Sequence, residues 1–104
     1  MTPDATRHAP AILGHMLKDP RLATLPLSVR GVWLQLSLAM LDRKHTAYGV
    51  TGEPERLAEI VVCPLAELNA AVGVLLDERL LEWSADTYLR SPFVTALMRP
   101  ASAR

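Results

Sequence analysis

Three histidines and one cysteine are the side chains of this sequence best suited to bind a transition metal or to act as a nucleophile. Zinc sites place such ligands only a few residues apart. No such spacing connects these residues, which are His8, His15, His45 and Cys63. Cys63 stands before a predicted helix, where a thiolate is favoured, but Pro64 removes one stabilising amide and no histidine or carboxylate is adjacent. We therefore predict no metal site and a structural role for Cys63.

The motifs through which common enzyme classes bind phosphate or attack a substrate are also missing from the sequence. It contains no phosphate-binding glycine loop, no Gly-x-Ser-x-Gly elbow and no metalloprotease motif. The acidic residues of its central part show no spacing that singles out a general acid and base pair. We predict that the chain is not an enzyme, has no catalytic residue and takes neither a cofactor nor a small-molecule substrate.

Size and composition indicate one small cytoplasmic domain. The 104 residues suffice for a single modest core, and one cysteine fits a reducing compartment. The longest uninterrupted apolar run is residues 70–76, which is too short to span a membrane. We interpret residues 1–10 as a flexible arm, residues 11–98 as the domain and residues 99–104 as a flexible tail.

The strongest helical pattern covers residues 27–42, directly after Pro26, a residue suited to a helix start. This helix is apolar on two opposite faces, which predicts burial on both. The face expected in the core comprises Val29, Val32, Trp33, Leu36 and Met40. The other comprises Leu27, Leu34, Leu38 and Leu41, and either the N-terminal segment or a second subunit must cover it. We expect self-association to use Leu34, Leu38 and Leu41, with Phe93 and Leu97 from a last apolar turn.

Proline and glycine divide the remaining chain into short elements. Residues 12–22 contain Gly14 and Pro20, which predict an extended piece leading to one loose helical turn. The further predictions are a strand at 49–51, helices at 53–61 and 64–78, and a two-stranded hairpin from 80–84 and 87–91. This order predicts a mainly helical α+β fold of the winged helix-turn-helix type, with three helices, a hairpin wing and a short third strand.

The sequence resembles the N-terminal winged-helix domain of phage replisome-organiser and DnaD-like replication proteins. The resemblance covers residues 12–95, and the segments that carry it are 19–22, 25–33, 48–50, 57–58 and 75–82. It implies a winged helix that works in a DNA-centred process. Members of the family carry further chain for contacts to single-stranded DNA or a helicase, so we expect here a small stand-alone regulator encoded by a phage or mobile element.

The third of these helices would enter the major groove of DNA in a helix-turn-helix protein, with cationic or amide side chains on its outer face. Its predicted outer face instead combines small residues with carboxylates: Ala66, Glu67, Asn69, Ala70, Gly73, Val74, Asp77 and Glu78. It contains no Lys or Arg, and its carboxylates would repel the phosphates of DNA, which attract cations. We therefore expect this face to meet a protein, although Asn69 could pair with an adenine.

Charge is unevenly distributed along the chain, although the formal net charge is zero. Residues 53–82 carry seven acidic residues against two arginines, a net charge of −5, so the rest carries +5. DNA binding could therefore come from the basic parts of the wing and the N-terminal segment. The candidate contacts are Lys18, Arg21, Arg43, Lys44 and Arg90, although Arg43 and Lys44 could simply complement a helix C-terminus.

These observations leave three functions open. The first is a small winged-helix regulator of phage or mobile-element replication, transcription or defence that acts through protein contacts and self-association, as a homodimer. The second is a sequence-specific repressor or replication-initiator module that binds DNA with its wing and basic arm. The third is an inhibitor whose acidic third helix occupies a nucleic-acid site on a host protein.

Overall fold

Residues 3–84 and 87–99 are described by the computed structural model of the chain, with side chains from residue 6 onward. The fold is α+β and mainly helical. Its helices are α1 (Pro3–Lys18), α2 (Pro20–Ala23), α3 (Leu27–Leu41), α4 (Pro54–Val61), α5 (Leu65–Asp77) and α6 (Pro92–Leu97), with a 3-10 turn at Lys44–Thr46. The strands are β1 (Val50–Thr51), β2 (Glu82–Trp83) and β3 (Tyr88–Arg90).

Helix α1 corrects the interpretation of the N-terminal segment. Residues 3–10, expected as a flexible arm, form its first half, and the segment from Ile12 onward is helical rather than extended. The sequence prediction gave Gly14 too much weight as a helix breaker. Ile12 is fully buried in the core, and this tertiary burial outweighs the local cost of Gly14 and of Pro10 inside the helix. Residues 1–2 and 100–104 of the predicted arm and tail lie outside the described residues.

Helix α3 is the central element of the core. Its predicted inner face is confirmed, since Trp33, Leu36 and Met40 are fully buried and Val29 and Val32 nearly so. Helix α1 packs on the opposite side of α3. Leu34 and Leu38 of the second face are half-buried beside α1, so the N-terminal segment covers that part of it, the first of the two alternatives. The burial predicted for Leu27 is wrong, because its side chain is 74% exposed.

Helices α4 and α5 confirm the predicted pair and its boundaries to within about one residue. Pro54 is the first residue of α4 and Pro64 directly precedes α5, as expected for a residue that lacks an amide hydrogen. The inner side of α5 is formed by Leu68, Ala71 and Leu75. Leu65, the first residue of the helix, remains 40% exposed.

The strands form one antiparallel sheet in the order β1–β3–β2. Val50 of β1 and Trp83 of β2 both pair with Leu89 of β3, and Leu89 and Val50 are fully buried. Helix α6 follows directly and is capped by Ser91, whose hydroxyl accepts a hydrogen bond from the Val94 amide at 3.4 Å. Strand β1 packs against α3 and α4, and α6 packs against α3, so the sheet and α6 close the core beside these helices.

Among the described residues, no single helix is both long and apolar enough to cross a membrane. Helices α4 and α5 together have the length and composition for a crossing, but the chain bends by 99° between them.

Candidate functional site

The predicted partner-facing side of α5 is largely exposed. Ala66, Glu67, Asn69, Ala70 and Asp77 are exposed, whereas Gly73 and Val74 are half-buried. None of the carboxylates on this side, Glu67, Asp77 and Glu78, forms an ion pair within the described part of the chain. The surface of α5 therefore presents free negative charge on a background of small side chains.

A groove of about 410 Å³ runs between α3 and α5 and ends at the turn that connects α4 to α5. We call it the α3–α5 groove. One wall consists of Glu67, Ala70 and Val74 from α5, so three residues of the predicted face line it. The other wall consists of Ser28, Gly31 and Gln35 from α3, with Val29, Val32, Val61 and Ala71 between the walls and Val62 and Cys63 at the end. The groove is mainly apolar and wide because both walls contain small residues.

Val62 at the end of the groove has an unusual backbone conformation that sequence reasoning missed. It lies in the left-handed region, with φ 56° and ψ 59°, and its amide donates to the Ala58 carbonyl at 2.8 Å to close α4. Glycine normally occupies this position, and a β-branched residue there is strained. Its side chain is also 83% exposed. The available signal was a helix ending in Val61-Val62-Cys63 without a glycine.

Three of the five basic residues predicted to contact nucleic acid are bound within the protein. Arg21 forms an ion pair with Asp19 at 3.1 Å and donates to the Glu78 carbonyl at 3.2 Å. Arg43 donates to the Ala39 carbonyl at the end of α3. Arg90 donates to the carbonyls of Thr46 and Ala47 at 3.0 and 3.3 Å. Lys18 and Lys44 are exposed.

The residues predicted for self-association do not form one exposed surface. Leu41 is only 3% exposed, and this member of the set is wrong because it belongs to the core. Leu34 and Leu38 are half-buried beside α1 and line a second apolar groove with Leu13. Leu97 is half-buried in α6, and Phe93 of that helix stacks on the His15 ring at 3.9 Å.

Two exposed leucines on α1 were missed by the sequence prediction. Leu13 is 46% exposed and Leu17 is 65% exposed. They are four residues apart on a helix and therefore share one side of it. The segment is predicted from the sequence as extended, which would separate residues 13 and 17 by about 13 Å along the chain. The helix instead brings them one turn apart.

His15 joins three helices by its packing rather than forming a reactive centre. Its ring stacks on Phe93 at a centroid distance of 3.9 Å and lies 5.6 Å from the ring of Trp33, and its Nε2 is 3.3 Å from the Asp19 carboxylate. Burial lowers the pKa of His15, whereas the negative charge of Asp19 raises it to a smaller extent. The Arg21 guanidinium in turn lowers the pKa of Asp19. Within the described residues, no group of three or more His, Cys, Asp or Glu side chains is arranged to hold a metal ion.

Trp83 in β2 is a further large exposed apolar side chain. It is 53% exposed and covers Gly52, where a Cβ would lie 2.2 Å from the ring atom Cζ3. The absence of a side chain at Gly52 therefore determines where this ring lies.

Comparison with known proteins adds no assignment to this geometry. No protein-family model, no curated protein and no solved structure matches the chain.

Proposed function

We propose that the chain is a winged-helix domain of a small regulator in a DNA-centred process, such as phage or mobile-element replication, transcription or defence, and that it acts by binding protein. In this proposal α3, α4 and α5 form the helix-turn-helix unit, and β2 and β3 form the wing beside β1. The binding site is the α3–α5 groove together with the exposed side of α5. The order of elements and the three-stranded sheet support the winged-helix assignment.

The observation that carries the proposal is the free negative charge on α5. A recognition helix that enters DNA must approach phosphates, whose attraction for cations supplies most non-specific affinity. Glu67 and Asp77 would instead meet like charge, at a cost of about 1 kcal/mol per close pair even in bulk water. No lysine or arginine of α5 offsets this cost, because the helix contains none.

The state of the arginines weakens the DNA-binding alternative. A guanidinium that already holds backbone carbonyls would have to abandon them to reach a phosphate. This applies to Arg90 in the hairpin and to Arg43 after α3. Of the five candidates, Lys18 and Lys44 make no such contact, and together with the exposed Arg7 of α1 they leave few free cations for a protein that must hold DNA by its wing and arm.

The shape of the site supports a protein as the partner. The α3–α5 groove is mainly apolar, and small residues such as Gly31 and Ala70 allow close approach of another chain. An apolar groove with one carboxylate at its edge suits an apolar helix or loop that carries a basic residue.

Titration of a labelled random DNA duplex at low salt, followed by fluorescence anisotropy, tests this proposal. We expect no binding by the wild type at micromolar protein, and gain of binding by the double variant Glu67→Lys/Asp77→Lys. The matched control is Glu55→Lys/Glu59→Lys, which adds the same charge on α4. Micromolar binding by the wild type that weakens steeply with salt would contradict the proposal.

A further inference from the structure

We propose that the α3–α5 groove receives α1 of a second copy of this chain, so that copies associate head to tail. This inference rests on the proposed function, because it names the protein that the groove binds. In a symmetric dimer through Leu34 and Leu38, both copies would contribute the same surface. Here one copy contributes the groove and the other contributes α1.

The donor surface is the exposed side of α1. Leu13 and Leu17 project from it, and Arg7 and Lys18 fall along one edge of the leucine stripe at helical spacing. Both cations are exposed and form no ion pair among the described residues. Leu13 is partly covered by the groove that it lines with Leu34 and Leu38, whereas Leu17 and the two cations remain exposed, so this side of α1 presents an apolar and cationic surface to a partner.

The acceptor surface has the complementary properties. The residues that line the α3–α5 groove include one charged side chain, Glu67, and none that is basic. Val62 stands at the end of the groove, 83% exposed and in a left-handed conformation that glycine would adopt without strain. Backbone strain of this kind concentrates at binding sites, and an exposed isopropyl group gains burial once a partner covers it.

The charge distribution favours head-to-tail contact over a symmetric one. Residues 53–82 carry a net charge of −5 and the remainder of the chain carries +5. A two-fold axis through α5 would bring two anionic surfaces together, whereas α1 against α5 joins opposite charges. The contact leaves one free groove and one free α1 at the ends of each assembly, so association continues into rings or filaments.

Sedimentation of the full chain and of two variants tests the inference. Ala70→Trp fills the groove from an exposed position, and Leu17→Glu places a carboxylate on the exposed side of α1. We expect the wild type to assemble with rising concentration and to dissociate with salt. Each variant alone is expected to weaken association by about tenfold or more. An equimolar mixture is expected to form a discrete dimer, because one intact groove then meets one intact α1.

Thermal melts followed by circular dichroism check that both variants fold. A second pair of variants, which exchanges two charges, tests the same contact without filling the groove. Glu67→Lys and Lys18→Glu should each weaken assembly when alone and restore it when mixed. A wild type that stays monomeric at its highest accessible concentration overturns the inference, as does a closed dimer that mixed variants fail to reconstitute. Neither result touches the proposed function, which fails separately if the wild type binds random duplex DNA.

Discussion

The arginines predicted to contact nucleic acid and the carboxylates on α5 are both expected from the sequence to be free surface charges, yet the structure uses them in opposite ways. Arg21 and Arg90 hold backbone carbonyls 57 and 44 residues away in the chain, respectively. Glu67 and Asp77 hold nothing within the described residues. These two arginines stabilise the fold, whereas these two carboxylates remain available to a partner.

This contrast shows that the sign and number of charges are weaker guides to function than their engagement. A count of basic residues suggested a wing and arm able to bind DNA. The carbonyl contacts of Arg21, Arg43 and Arg90 give three of the five candidate cations a structural explanation. The free carboxylates of α5 have no such explanation.

The largest effect on stability is expected from Arg90→Ala. The substitution removes both hydrogen bonds to the carbonyls of Thr46 and Ala47, and charge-assisted bonds of this kind contribute about 1.5–3 kcal/mol when partly buried. We expect the free energy of unfolding in urea to fall by about 2 kcal/mol. Lys44→Ala, at an exposed cation of the neighbouring turn, is the control and should change it by less than about 0.5 kcal/mol. Equal effects of the two substitutions would remove the distinction between structural and free cations.

A smaller effect of opposite sign is expected from Val62→Gly. Glycine adopts the left-handed conformation without strain, so the free energy of unfolding should rise by about 1 kcal/mol. The same substitution should weaken self-association, because it deletes the exposed side chain at the end of the groove. Ala66→Gly, in an exposed helical position, is the control and should lower stability by about 1 kcal/mol. A destabilised Val62→Gly variant would mean that the valine is held by contacts within the fold.

The smallest effect is expected from the pH dependence at His15. Burial lowers the pKa of the folded His15 below the ordinary value of 6.5. The charge of Asp19 raises this pKa and the charge of Arg21 lowers it, and burial has the largest effect. The unfolded chain then binds the proton more tightly, so the free energy of unfolding falls as the pH drops through 6.5 and below. His15→Phe keeps an aromatic ring against Phe93 and should flatten this dependence in urea titrations at several pH values. His8→Gln, the control on the same helix, should leave it unchanged.

Local sequence signals were enough to predict α3, α4 and α5 and to place the strands, although β2 and β3 are shorter than predicted and α6 was expected only as an apolar turn. Pro26, Pro54 and Pro64 stand at helix starts, where their fixed φ and missing amide hydrogen are compatible with the helix. Trp33 and Leu36 follow the helical period and are buried as predicted. These features depend only on residues close together in the chain.

The parts that could not be predicted depend on contacts between distant residues. Helix α1 forms over Pro10 and Gly14 because Ile12 is buried in the core, and no local pattern reports that burial. The same limit applies to the site. The small and acidic side of α5 was visible in the sequence, but the groove also needs Gly31 of α3 and the left-handed Val62.

The central claim is that the exposed side of α5 binds protein rather than nucleic acid. The most direct test follows the amide chemical shifts of the isotope-labelled Leu17→Glu variant, whose α5 is unchanged. This variant is titrated first with random duplex DNA at low salt and then with the unlabelled Ala70→Trp chain. We expect the DNA to leave the amides of Glu67, Ala70 and Gly73 unshifted, and the second chain to shift them. Shifts of these amides on addition of DNA, without any on addition of the second chain, would contradict the account.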